Sequence, residues 1–147
     1  MYDARHIANW FVERAAQDHR QLTIMQLLKL VYIAHGWHLE MRKSPLIINK
    51  IEAWKYGPVI PDIYNSFRSK GVTINEPIPF PPAHISAADE HLLNEIYRIY
   101  GSMSAATLSD ITHEVNGPWD QATRTRGYFA PIPNELIKAH YEQKRAT

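Results

Sequence analysis

The chain has 147 residues, no cysteine, and 16 Lys and Arg against 15 Asp and Glu, for a net charge of +1. Disulfides, thiolate metal sites and cysteine nucleophiles are therefore excluded, and bulk charge offers no general attraction for nucleic acid. With 45% hydrophobic and 21% charged residues, this is the composition of a folded globular chain, and its length suits one domain over 1–147.

Residues 3–18, DARHIANWFVERAAQD, read as an amphipathic helix. Asp3 is a natural N-cap, and Ala4, Ile7, Ala8, Phe11, Val12 and Ala15 repeat at i, i+3, i+4. Thr23 caps a second helix, IMQLLKLVYIAHGWHLE, which is apolar nearly all round apart from Gln26 and Lys29. So little polar face marks a helix at the centre of a core. Gly36 inside it costs about 1 kcal/mol relative to Ala, and a close crossing with another helix would explain its use, although the sequence shows none.

The helical pattern breaks over 42–61. LIINKIEAW has the β-branched content of short strands, so a small β-hairpin is expected near residues 46–56. Pro58 or Pro61 can open the next helix, where a missing N–H costs nothing. Ile60, Ile63, Tyr64 and Phe67 carry its spacing, and Gly71 closes it. Four prolines in VTINEPIPFPPAHI, 72–85, impose an extended strap, with Ile78, Phe80 and Ile85 able to dock on the body. Ser86 and Asp89 start a helix whose inward face is Leu92, Leu93, Ile96, Ile99 and Tyr100. Ser104 caps another, with Ala105, Leu108, Ile111 and Thr112 inward. Pro118 opens a short helix, and Pro133 opens a last one, with Leu136, Ile137 and Tyr141 inward. The expected fold is mostly α: a compact bundle of six or seven helices with one small hairpin.

No apolar run approaches the roughly 20 residues of a membrane helix, and MYDARHIANW lacks an apolar signal core. The expectation is a cytoplasmic protein with no membrane partner. From Glu76 to Glu114 there are six acids (Glu76, Asp89, Glu90, Glu95, Asp110, Glu114) against one base, Arg98. The flanks are mildly basic. Such asymmetry fits either solvated helix faces or steering of a partner.

Motifs for catalysis are missing. His35 and His38 stand at i, i+3, and His113-Glu114 is a second candidate ligand pair. However, HGWH is not HExxH, and no carboxylate stands at a diagnostic offset, so no metal is expected, with one of the two rings in the core and the other exposed. The glycines are scattered singly, without a phosphate-binding fingerprint. No G-x-S-x-G elbow occurs. Asp89-Glu90 sit in a helix first turn, where the macrodipole favours acids. No catalytic residue and no cofactor are expected. Direct DNA recognition is possible but not favoured: IPDIYNSFRSKG carries Arg68 and Lys70 only at its end, and TRTRGY adds Arg124 and Arg126.

The most unusual stretch is EAWKYGPVIPDIY, 52–64, where Trp54, Tyr56 and Tyr64 flank a Gly57-Pro58 turn. Large rings on a fixed backbone make good protein-binding anchors. The same residues make a good structural corner.

Taken with LLKLVYIAHGWHL (27–39), IEAWKYGPVIPDIYNSFRSKG (51–71), LSDITHEVNGPWDQA and the closing IPNELIKAHY, this stretch resembles the Panacea domain, the SocA-like antitoxin or phage-associated GepA-type family. The likeness runs from the first helix to the last. It implies a helical antitoxin, not an enzyme, that suppresses a cognate toxin, typically from an adjacent gene, by protein contact. A small DNA-binding regulator or another phage-associated interaction protein is the alternative. The motif positions are Trp54, Lys55, Tyr56, Gly57, Pro58, Tyr64, Thr112, His113, Pro118 and Trp119. Gly57, Pro58 and Pro118 are assigned to backbone geometry. Trp54, Lys55, Tyr56, Tyr64, His113 and Trp119 are assigned to a partner-binding surface.

Overall fold

The computed structural model describes residues 1–147. Seven helices are present: α1 (Ala4–Gln17), α2 (Ile24–Arg42), α3 (Pro61–Phe67), α4 (Ala87–Tyr100), α5 (Ala105–Thr112), α6 (Pro118–Arg126) and α7 (Asn134–Ala146). Five short strands accompany them: β1 (Leu22–Thr23), β2 (Glu52–Trp54), β3 (Gly57–Val59), β4 (Thr73–Ile74) and β5 (Ala130–Pro131). The mostly-α architecture expected from the sequence is what forms. β1 pairs antiparallel with β4, and a second antiparallel sheet runs in the order β3-β2-β5.

The hairpin spans 52–59, later in the chain than 46–56. Residues 46–51 instead send Leu46, Ile47 and Ile51 into the core and make one isolated bridge, Ile47 to Tyr2. Pro58 lies in β3, an edge strand, where its missing N–H costs no ladder bond. Pro61 takes the first turn of α3.

α2 is the axis. The Thr23 hydroxyl accepts from the Gln26 N–H, and the Gln26 side chain reaches back to the Thr23 N–H, a complete capping box. The helix is buried along nearly its whole length, with α1, α3, α4, α5 and α7 packed around it. Gly36 is where α7 crosses. A Cβ placed there would lie 2.2 Å from Cε2 of Tyr141, whose ring packs edge-on to Trp37 at 4.9 Å. Lys43 ends the helix in the left-handed region.

The charged and imidazole groups that α2 carries inward are answered by neighbouring elements, while the buried Tyr32 hydroxyl has no hydrogen-bond partner. Glu40 receives Arg145 of α7 through both carboxylate oxygens, at 3.0 and 3.1 Å. His38 Nε2 faces the Asp89 carboxylate of α4 at 3.2 Å, and its Nδ1 lies 2.7 Å from the Ser44 carbonyl. Asp89 also receives Arg42 and, at 2.6 Å, the Tyr2 hydroxyl. Asp89 is in the first turn of α4, as expected, and is in addition a buried junction between the N-terminus, α2 and α4. Its position follows from the turn of α4, which aims Leu92, Leu93, Ile96 and Tyr97 inward on the same side and leaves Ile99 exposed.

The proline strap lies across α1. Asn9 donates to the Ile78 carbonyl at 3.0 Å and accepts from the Ile78 N–H at 2.9 Å. The Phe80 ring packs under Arg5 and against His6.

Gly36→Ala would gain helix propensity of about 1 kcal/mol, but the overlap with Tyr141 forces α7 away, at a cost of about 1–3 kcal/mol or more. The variant is expected to unfold at lower urea than the parent protein. An unchanged or higher midpoint would show that α7 does not press on α2 at this point.

Candidate functional site

β2 and β3 are joined by the two residues Lys55 and Tyr56, with Trp54 opposite Gly57. Gly57 closes this tight connection at φ +123°, a conformation closed to most side chains. It also rests directly on the core. A Cβ there would meet Lys29 Cε at 2.9 Å and Thr112 Oγ1 at 3.3 Å. Gly57 thus has two reasons to be glycine, one conformational and one steric.

Three bonds fix the hairpin from below. Lys29 Nζ, fully buried in α2, donates to the Pro58 carbonyl at 3.1 Å. Ser109 Oγ of α5 donates to the Tyr56 carbonyl at 2.9 Å. Trp119 Nε1 of α6 donates to the Trp54 carbonyl at 2.7 Å. His113 lies edge-on to Trp119 at 4.1 Å. Its Nδ1 is 2.7 Å from the Ser109 carbonyl, which only accepts, so Nδ1 carries the proton. Pro118 begins α6, and the left-handed Asn116 just before it turns the chain from α5.

The rings continue outward. Trp54 donates through Nε1 to Glu52 at 2.9 Å. Its ring meets Tyr64 at 5.1 Å and Phe129 at 5.5 Å, both edge-on, the geometry favoured by the ring quadrupole. Arg68 lies over Tyr64 at 5.9 Å, and Lys55 over Tyr56 at 5.4 Å. Tyr56, Tyr128 and Phe129 are 62%, 58% and 63% exposed, enough to make this a surface and not only a corner. Phe129 has φ +67°, a genuine outlier for a bulky residue, with a cost of roughly 1–2 kcal/mol. Its N–H is held by the Ala53 carbonyl at 2.7 Å.

All the residues singled out in the sequence, Trp54, Lys55, Tyr56, Gly57, Pro58, Tyr64, Thr112, His113, Pro118 and Trp119, converge on this hairpin. Lys29, Ser109 and Phe129 belong to the same assembly and were not singled out, and Arg68, which the sequence offers only as a base for nucleic acid, belongs to it as well. Lys29 had a signal, a lone charge in an otherwise apolar helix. Phe129 had none, since its neighbour Trp54 is distant in sequence.

His35 and His38 do not converge on a shared point. His35 Nε2 meets Asn134 Oδ1 at 2.8 Å, and Nδ1 accepts from the Leu46 N–H at 3.3 Å. Burial pushes its imidazole down to about 4, so it is neutral near pH 7. Both rings are buried, at 1% and 6% exposure, which corrects the expectation that one faces solvent. Each spends its nitrogens on protein partners because α2 offers no solvent-facing side at this level. No group of three His, Asp or Glu is placed to share a metal ion, and no helix is long and apolar enough to cross a membrane.

Burial pushes the Lys29 ammonium down to about 8, against about 10.4 in an unfolded chain. Between these values the unfolded chain holds a proton that the folded protein has released, so raising the pH favours folding. Below pH 8 the buried charge is a standing cost. The unfolding free energy of wild type relative to Lys29→Met is expected to rise by about 2 to 3 kcal/mol between pH 7 and pH 10. Tyr32 and Tyr141, whose phenols burial pushes up, affect both proteins alike. Urea titrations at several pH values check this, and parallel profiles for the two proteins would contradict it.

The family described as Antitoxin SocA-like, Panacea domain, matches residues 27–120. Antitoxin SocA of Caulobacter vibrioides (strain NA1000 / CB15N) is 36% identical over 129 residues, covering 80% of this chain and 69% of that protein. No solved structure matches the chain.

Proposed function

The chain belongs to the SocA-like antitoxin family, Panacea domain, and on that premise we propose that it is an antitoxin that neutralises a cognate toxin by direct contact through its folded surface. The contact centres on the Trp54–Tyr64 hairpin and the rings beside it. The toxin is the product of an adjacent gene, and the chain acts by binding, not by catalysis.

The observation that carries this reading is a cluster of exposed rings on a backbone that is fixed before any partner arrives. Tyr56 and Phe129 are mostly exposed, yet the hairpin under them is tied to α2, α5 and α6 by side-chain bonds. Aromatic anchors dominate binding energy at protein interfaces, and preorganisation removes much of the ordering cost. Backbone strain at an exposed Phe129 gains the fold little, and strain of this kind gathers at functional positions.

Co-expression with the neighbouring gene product is expected to rescue growth and to yield a complex that co-purifies. Tyr56→Ala and Tyr64→Ala are expected to weaken that complex by tenfold or more. Phe129→Asn, which relieves the left-handed strain, is expected to weaken the complex while leaving the melting temperature unchanged or slightly raised. Folded variants that bind at full strength would remove this surface from the reading. A harmless neighbour that forms no complex would remove the antitoxin reading itself.

A further inference from the structure

Around the exposed rings the charges are unevenly satisfied. Three acids there are occupied within the chain, while the exposed Asp110, next to Ser109 on α5, has no side-chain partner. Glu52 accepts from Trp54 Nε1 and pairs with Lys50 at 3.3 Å. Asp62 accepts from Asn49 at 2.7 Å. Asp120 accepts from the Asn116 N–H at 2.8 Å and pairs with Arg124 at 3.1 Å. The cations are not so occupied. Lys55, Arg68 and Arg126 are exposed, and none reaches a carboxylate, although most Lys and Arg of the chain do. Lys55 and Arg68 instead lie over the faces of Tyr56 and Tyr64. Arg126 closes α6 three residues before Phe129.

We infer that the partner surface seated here is acidic: a protein segment whose carboxylates meet Lys55, Arg68 and Arg126 while its apolar groups cover Tyr56 and Phe129. This rests on the antitoxin reading and adds to it the chemistry of the partner's contact segment. Three cations without internal partners give an electrostatic face that speeds encounter and sets orientation. A cation already held over a ring keeps its side chain ordered, so less entropy is lost when a carboxylate arrives.

A nucleic-acid strand fits this face less well. Single strands are held by free ring faces on which bases stack, within a groove that follows the phosphates. Here Trp54 and Tyr64 meet edge-on, and Tyr64 and Tyr56 carry cations over their faces. The chain as a whole bears only +1.

The test is the affinity of the complex with the neighbouring gene product for wild type, Lys55→Glu/Arg68→Glu and Tyr56→Ala, from 50 to 500 mM NaCl. Both charged positions are exposed, and circular dichroism checks the fold. The charge reversal is expected to weaken binding by at least tenfold at low salt, mainly in the association rate, and to flatten the salt dependence. If Tyr56→Ala weakens the complex while the reversal leaves both affinity and salt dependence unchanged, the rings bind a partner that is not acidic, and the inference falls while the antitoxin reading stands. If wild type forms no complex with the neighbour, the antitoxin reading falls, and an alternating Glu–Phe peptide against a Lys–Phe control decides the face. Binding of the acidic peptide at low salt that the reversal abolishes supports the inference, and equal binding of the two overturns it. Tighter binding of a single-stranded DNA 20-mer than of the acidic peptide, also lost on reversal, overturns it in favour of nucleic acid.

Discussion

A helix buried on nearly every side must have each of its polar groups answered by something other than water, because an unpaired buried charge or amide costs several kcal/mol. In this fold that helix is α2, and apart from the Tyr32 hydroxyl, which is buried without a partner, its inward polar groups set what packs around it. Lys29 is answered by the hairpin, through the Pro58 carbonyl. His35 is answered by Asn134 at the start of α7 and by the backbone at Leu46. His38 is answered by Asp89 of α4, and Glu40 by Arg145 near the end of α7. Apolar contact alone tolerates sliding by part of a turn. These polar pins do not, since each has one geometry that satisfies it. They fix which element lies where.

The hairpin inherits its rigidity from that arrangement. A two-residue connection between three-residue strands is marginal when isolated in water. Here it is held through Lys29 to α2, through Ser109 to α5 and through Trp119 to α6, and Gly57 lets its backbone approach the core. The exposed rings are thus a rim on a frame fixed from three sides, with Lys55 and Arg68 lying over two of them. A buried lysine near the core axis and a set of exposed aromatics are two ends of one device. The buried charge lowers stability below pH 8, and the surface above it gains a defined shape.

Most of the architecture is legible from local pattern. Asp3, Thr23, Ser86 and Ser104 cap the helices they precede, because capping is settled within four residues. The apolar face of α1 and the central position of α2 follow from periodicity. Gly36 suggested a close crossing, and Tyr141 supplies it. Other features were not legible, each because its cause is distant in sequence. Asp89 is legible as a first-turn acid of α4, but its junction with Arg42, His38 and Tyr2 is not. Tyr97 rather than Ile99 turns inward on α4, since Asp18 and Arg20 bond its hydroxyl. The strand content of LIINKIEAW did not locate the hairpin, because Leu46, Ile47 and Ile51 pack into the core.

The sequence by itself determined the helical class, the helix starts, the central helix, and the motif stretches whose order and spacing mark the family. Those are properties of short windows and of their order along the chain, and they need no knowledge of what touches what. Only the tertiary structure decided that Lys29 lies beneath Gly57, that Phe129 joins Trp54 at the surface, and which cations around those rings lack an internal carboxylate. These are pairings between residues dozens of positions apart. They exist only once α2 has been enclosed and its buried polar groups have been satisfied, which no window of sequence encodes.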